Sequence, residues 1–172
     1  MAQSAFIACV AEAEPFVAHW RERFDPPARL GVPAHITLLF PFAPPELITT
    51  GMLDDVKLLA ESTAQFAFRF DTVKRFPGVV YLAPEPARDL VRLAAELARL
   101  FPAYPPYGGA HKDVVPHITV ARGDEATLAH VERELVAALG DGSVAAACAA
   151  FVLIENSTGL WKTMHTFELG AG

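Results

Sequence analysis

The sequence predicts an α+β protein built from two half-units that each lend one strand to a shared cleft. Three observations predict it. Short apolar runs at 4–10, 34–40, 65–76, 79–83 and 114–122 read as strands. Segments with apolar residues every three to four positions stand between them and read as helices. Finally, one block recurs: GVPAHITLLF at 31–40 lines up with DVVPHITVAR at 113–122.

The elements follow in order. SAFIACV at 4–10 is short, apolar and ends at charge, as a buried strand does. EPFVAHWRERF at 14–24 is a helix with Pro15 in its first turn and Phe16, Trp20 and Phe24 at four-residue spacing. DPPARLGVP is a loop, and AHITLLF at 34–40 is a strand stopped by Pro41. A helix over roughly 45–61 turns Leu53, Val56 and Leu59 or Ala60 inward. In QFAFRFDTVKRF at 65–76, Phe66, Phe68 and Phe70 share one face. FPG is a turn, and VVYLA returns as the partner strand. ARDLVRLAAELARLF at 87–101 is the clearest helix, with Leu90, Leu93, Leu97 and Leu100 inward and Arg92–Glu96 as an outer i,i+4 pair. PAYPPYGGAHKD is a loop, and VVPHITVAR at 114–122 is a strand. EATLAHVERELVAAL is a helix with Leu128, Val131, Leu135 and Leu139 as its core stripe. AFVLIEN and WKTMHTFEL close as a hairpin around Ser157-Thr158-Gly159.

At 172 residues and 52% apolar content, the chain is long enough for a real core, and we read 1–172 as a single bilobal domain. The net charge of −6 argues against a protein that coats long nucleic acid, which needs many Lys and Arg phosphate contacts. It leaves room for a small anion, or one RNA end, in a local pocket. Cys9 and Cys148 lie in apolar stretches and read as buried thiols of a reducing cytosol. The start of the chain lacks a basic leader, and the longest apolar run, 144–154, is too short to span a bilayer. A cytoplasmic protein without a membrane segment is expected.

The repeated block carries the chemistry. Its shared core is His-Ile-Thr, and the histidines His35 and His117 are 82 positions apart. Alternation along a strand points His35 and Thr37 one way and Ile36 and Leu38 the other. The same holds for His117 and Thr119 against Ile118 and Val120. Two such strands side by side present two imidazoles and two hydroxyls to one cleft. Hydroxyls hydrogen-bond phosphate oxygens, while one neutral imidazole takes a proton from a nucleophile and one imidazolium gives a proton to a leaving oxygen. This scheme calls for no metal and no cofactor. Arg122 is a candidate phosphate cation, although simple alternation puts it on the opposite face unless the strand end bends.

HITLLF and HITVAR resemble the paired signatures of the two-histidine (2H) phosphoesterase superfamily, which includes bacterial 2′-5′ RNA ligases and RNA 2′,3′-cyclic phosphodiesterases. The resemblance runs along nearly the whole chain. It implies a bilobal α+β fold with two antiparallel sheets, pseudo-twofold symmetry and helices outside. It implies His35 as proton donor to the leaving oxygen, His117 as the base that activates water, and Thr37 and Thr119 on the phosphate. The implied substrates are nucleotide or RNA-end 2′,3′-cyclic or 2′-5′ phosphodiesters; the same groups would serve hydrolysis or, by microscopic reversibility, joining, and hydrolysis is favoured because water is abundant and no ATP site is visible in the sequence. The chain departs from a long-RNA binder in showing no basic platform. A monomer is expected, since a closed small-substrate cleft needs no partner.

Other residues are weighed against plain packing. Tyr104 and Tyr107 lie in the Pro-rich loop, and Tyr107 is a candidate to stack on a base. Phe42, past Pro41, is a candidate for the cleft mouth, whereas Phe40 reads as core. His19 and His130 read as solvated, His165 as packed, and His111 as a loop residue near the site. Two other classes compete. A zinc enzyme would gather His35, His111, His117 and His165, but leaves the threonines unexplained. A binding module would keep the cleft without turnover.

Overall fold

In a computed structural model of the chain, residues 1–110 and 114–171 are described. The strands are β1 (Ser4–Cys9), β2 (His35–Leu39), β3 (Phe66–Phe76), β4 (Val79–Glu85), β5 (Ile118–Arg122), β6 (Val144–Cys148), β7 (Ala150–Glu155) and β8 (Lys162–Glu168). The helices are α1 (Glu14–Phe24), α2 (Pro26–Arg29), α3 (Thr50–Ser62), α4 (Arg88–Leu100) and α5 (Glu125–Leu139). Two four-stranded antiparallel sheets form, ordered β2-β1-β7-β8 and β5-β4-β3-β6.

The unit β1–α1–β2 in the first sheet recurs as β4–α4–β5 in the second. In both, the strand that carries or follows the motif histidine ends up at the sheet edge. The connecting helices are exchanged: α1 packs on β5 and α4 packs on β2. Each motif strand is therefore backed by the other unit's helix, and β2 and β5 come together at the centre. The helix pattern accounts for this. Leu90, Leu93 and Leu97 of α4 are all buried along one stripe.

One hydrophobic cluster runs through both sheets, from Phe6, Ile36 and Leu38 in the first to Phe70, Leu82 and Val120 in the second. Strand alternation sends Ala5 and Ile7 to the opposite face of the first sheet, where they join Val32 and Ile154 in a separate small cluster. Phe68 and Phe70 are buried and Phe66 packs beside them, as their shared face predicts. The tight turn at Gly78 (φ 76°) and the one at Gly159 (φ 87°) use the left-handed conformation that glycine adopts without a Cβ clash.

Several details differ from the sequence reading. The helix expected from 45 begins at Thr50, where the Thr49 hydroxyl accepts from the Met52 N–H, and Pro45–Leu47 forms a separate 3-10 turn. Residues 26–29, read as loop, form the short α2, whose prolines sit in its first turn where no N–H is needed. An additional strand, β6, lies in the Ala-rich stretch. Alanine signals strand weakly, and pairing with the long β3 imposes it. Arg92 pairs with Asp89 at 3.0 Å and Glu96 with Arg99 at 2.8 Å, in place of an Arg92–Glu96 pair. Cys148 is buried but Cys9, at the end of β1, is exposed. His165 on β8 is exposed rather than packed, because its neighbours on that strand are also solvent-facing. Among the described residues no helix is long and apolar enough to cross a membrane.

Truncating Leu97 removes a fully buried side chain of α4, the helix that packs on β2. Leu97→Ala is expected to lose about 2–5 kcal/mol in urea denaturation; a loss below about 1 kcal/mol would show that α4 does not hold the back of β2.

Candidate functional site

His35 opens β2 and His117 immediately precedes β5. The two rings are anchored alike. The Nδ1–H of His35 donates to the Pro33 carbonyl at 2.8 Å, and that of His117 to the Val115 carbonyl at 2.7 Å. A carbonyl can only accept, so each Nδ1 carries the proton and each neutral ring keeps Nε2 as its basic atom. Thr37 and Thr119 follow two residues on and join both histidines in the lining of one cleft of about 730 Å³. Burial pushes the His35 pKa from its ordinary 6.5 down to about 4, aided by the Arg21 and His117 charges and opposed by the Pro33 carbonyl and Asp25. Burial lowers His117 as well, with Arg122 adding to it and Asp25 and the Val115 carbonyl opposing.

Two bulges complete the site. In the first sheet Thr37 faces Ile7 and Leu39 faces Phe6, so Leu38 is the extra residue. In the second, Thr119 faces Tyr81 and Ala121 faces Val80, so Val120 is the extra residue. One inserted residue reverses the alternation beyond it. The fifth residue after each histidine, Phe40 and Arg122, therefore returns to the cleft. This is the bend that Arg122 required. Phe42 is a correction. It is buried, with ring centroids 4.8 Å from Phe6, 4.9 Å from Phe101 and 5.2 Å from Tyr104, because its N–H continues the β1 pairing by donating to Ser4 O. Phe40, read as core, takes the place in the cleft.

Tyr107 also lines the cleft. Its backbone is left-handed (φ 52°, ψ 32°), a rare conformation for a residue with a Cβ, and its N–H donates to the Phe40 carbonyl at 2.6 Å. That bond pins the Pro-rich loop against the end of the first motif. Tyr104, by contrast, packs against Phe42 and the core. His111 lies outside the described residues. Among those described, no group of three or more His, Cys, Asp or Glu side chains gathers in a metal-holding cluster. His165 lines a different groove, against α3.

The sequence reading missed Asp25, Arg21, Trp161 and Phe76. Asp25 lines the cleft and is 1% exposed. Its Oδ2 accepts from Arg21 Nε at 3.1 Å and Nη2 at 2.9 Å, and its Oδ1 accepts from Arg122 Nε at 3.3 Å. Arg21 Nη2 also donates to the Val32 carbonyl at 3.2 Å. Two guanidiniums share this one carboxylate, and of the three groups Asp25 and Arg122 line the cleft while Arg21 is buried behind it. Arg21 and Asp25 have the i,i+4 spacing of an ordinary surface pair, and only the packing of α1 on β5 buries them. Trp161 stands beside Phe40 at 6.3 Å, and Phe76 lies edge-on to His117 at 5.1 Å. Nothing in their local sequence marks either ring as cleft-lining.

Breaking this network from its two ends should differ. Asp25→Asn strands the buried Arg21 guanidinium and is expected to cost about 3–5 kcal/mol of stability. Arg122→Met, at a half-exposed position, is expected to keep the fold within about 1 kcal/mol. Equal losses in thermal and urea melts would contradict this division.

Solved structures with the same fold support the architecture. E. coli LigT, solved as a complex with 3′-AMP, superposes with a TM-score of 0.63 at 21% identity, covering 97% of both chains. TT0787 of Thermus thermophilus gives 0.64 at 19% identity over 98% of both chains. A protein described only as a phosphoesterase gives 0.60 at 20% identity, again over 98% of both. No curated protein matches the chain by sequence. The family model of the 2′-5′ RNA ligase superfamily matches residues 10–159. With its repeated half-units and LigT-like sheets, the chain belongs to the 2′-5′ RNA ligase superfamily.

Proposed function

We propose that the protein hydrolyses 2′,3′-cyclic or 2′-5′ phosphodiesters of nucleotides or RNA ends by metal-independent acid–base catalysis. The observation that carries this reading is the matched anchoring of two imidazoles by backbone carbonyls, each leaving Nε2 as its basic atom in the same cleft. Water attacks phosphorus as the Nε2 of His117 takes its proton. The P–O bond to the ribose oxygen breaks as the imidazolium of His35 protonates that oxygen, and a phosphomonoester leaves. Thr37, Thr119 and Arg122 hold the non-bridging oxygens. E. coli LigT has been solved with 3′-AMP, ATP and NADP+, which supports a nucleotide ligand here. The single cation among the described cleft residues, Arg122, suits one phosphodiester rather than a long strand.

The direct test is ring opening of a 2′,3′-cyclic nucleotide in EDTA. His35→Ala and His117→Ala are each expected to lower kcat by at least about 10²–10⁴-fold. With a p-nitrophenyl phosphodiester, whose leaving group needs no proton, His35→Ala should recover most of its activity and His117→Ala should not. Recovery of His117→Ala instead would exchange the two roles, and wild-type turnover surviving both substitutions would remove the histidines from the mechanism.

The lowered pKa values predict the pH profile. Catalysis needs one imidazole charged, and in the free enzyme both lose their proton below the ordinary 6.5. kcat/KM, which reports the free enzyme, should therefore fall as pH rises, with its alkaline limb below 6.5. A bound phosphodiester anion favours the imidazolium, so the limb in kcat should lie at higher pH. A kcat/KM limb above pH 7.5 would contradict the burial of the pair.

A further inference from the structure

The strand registers of the second sheet carry one face of the cleft outward, past its lining residues. Two rows of partnered residues cross β5, β4 and β3. Arg122 faces Val79 and Val79 faces Phe76, and all three line the cleft. In the neighbouring row Thr119 faces Tyr81 and Tyr81 faces Lys74. Directly paired residues share a face of the sheet, so Lys74 stands on the cleft side, two strands out from Thr119. Its chain neighbour Arg75 points the other way, to Glu125 and Glu132 of α5. Neither row contains an acidic residue. Tyr81, between Thr119 and Lys74, is buried, with the Phe76 ring stacked on it at 4.2 Å. Lys74 is exposed, and among the described lysines and arginines it alone makes no ion pair, hydrogen bond or ring contact. Asp71, earlier on the same strand, is taken by Arg69 at 2.9 Å.

We propose that Lys74 marks a second phosphate subsite, which takes the phosphate on the 5′ side of the nucleotide whose ring is opened and so makes the substrate a short RNA end. This rests on the reading above that the cleft takes a nucleotide phosphodiester, with Thr119 and Arg122 on the reacting phosphate. Adjacent strands lie about 4.8 Å apart, so the Cα atoms of Thr119 and Lys74 are about 10 Å apart across the row. One nucleotide and the four-carbon stem of a lysine cover that span between them. A chain phosphate matches the chemistry: it is a water-exposed anion that a free ammonium meets as a point charge, with no fixed geometry to satisfy. The net charge of −6 repels a polyanion at a distance. Two cations at opposite corners of the acid-free rows, Arg122 on β5 and Lys74 on β3, supply a local track instead. Beyond β3 the exposed positions of β6 are Ala145 and Ala147, which carry no charge, so the track ends after two phosphates.

The test is binding, so it does not depend on turnover. Calorimetry compares adenosine 3′-monophosphate, which has one phosphate, with the 3′-phosphorylated dinucleotide ApAp, which adds the chain phosphate. Lys74→Met should lower the affinity for ApAp relative to that for the mononucleotide by about two- to fivefold, the range of an exposed ion pair, and Lys74→Arg should keep the wild-type ratio. The fall of log affinity with log salt should be steeper for ApAp by about 0.7, the value for one single-strand phosphate contact, and Lys74→Met should remove that difference. ApAp with a neutral methylphosphonate linkage should bind wild type and Lys74→Met alike. A wild-type ratio retained by Lys74→Met, or equal weakening of both ligands, would overturn the subsite even if cyclic nucleotides are opened. Lys74-dependent binding of ApAp, without ring opening of the dinucleotide that ends in a 2′,3′-cyclic phosphate, would sink the hydrolytic reading and leave the subsite standing. Failure of wild type to bind either ligand would overturn both.

Discussion

A single buried carboxylate, Asp25, ties the two motif strands together. Through Arg21 it reaches the Val32 carbonyl, three residues before His35, and through Arg122 it reaches the end of β5, five residues after His117. A carboxylate withdrawn from water is costly unless charge and hydrogen bonds replace its hydration. Here three N–H donors from two guanidiniums do so. The ion group therefore cannot be assembled without seating α1 against β5. That seating also exchanges the helices between units and brings β2 beside β5, so the shared cleft and its buried ion group have one origin.

The repeat supplies its chemistry in duplicate. Anchoring an imidazole by its own backbone, two residues upstream, is a local device that works wherever the strand goes. Two copies at the edges of two sheets yield two basic Nε2 atoms without any side chain reserved for orienting them. The bulges do the complementary work. By reversing alternation after each threonine, they keep Leu38 with Leu39, and Val120 with Ala121, in the core while returning the next residue to the cleft. The ring at one return point and the guanidinium at the other break the symmetry that the backbone preserves.

The electrostatics of the cleft favour uncharged rings. Burial lowers both histidines, and each lies near a guanidinium, Arg21 for His35 and Arg122 for His117, that opposes a second positive charge. An anion brought beside these rings would favour an imidazolium, since opposite charges attract strongly in a site of low dielectric.

Local pattern was enough for the α+β class, for most elements, and for the four residues His35, Thr37, His117 and Thr119 on one face, because these follow from periodicity and from a repeat of adjacent residues. Arg122 was legible as a candidate, but its side was not. Parity along a strand is countable only while the ladder is regular, and a bulge is decided by the partner strand. The same limit placed Phe42 at the mouth and Phe40 in the core, where the structure has them reversed. β6 was hidden because alanine states no strand preference until β3 pairs with it. Arg21 and Asp25 went unmarked, since spacing along a helix cannot tell which face another unit will cover. The ion network, the apolar bed under Phe40 and Trp161, and the depressed histidines came from tertiary packing, because each arises from contacts between residues far apart in the chain.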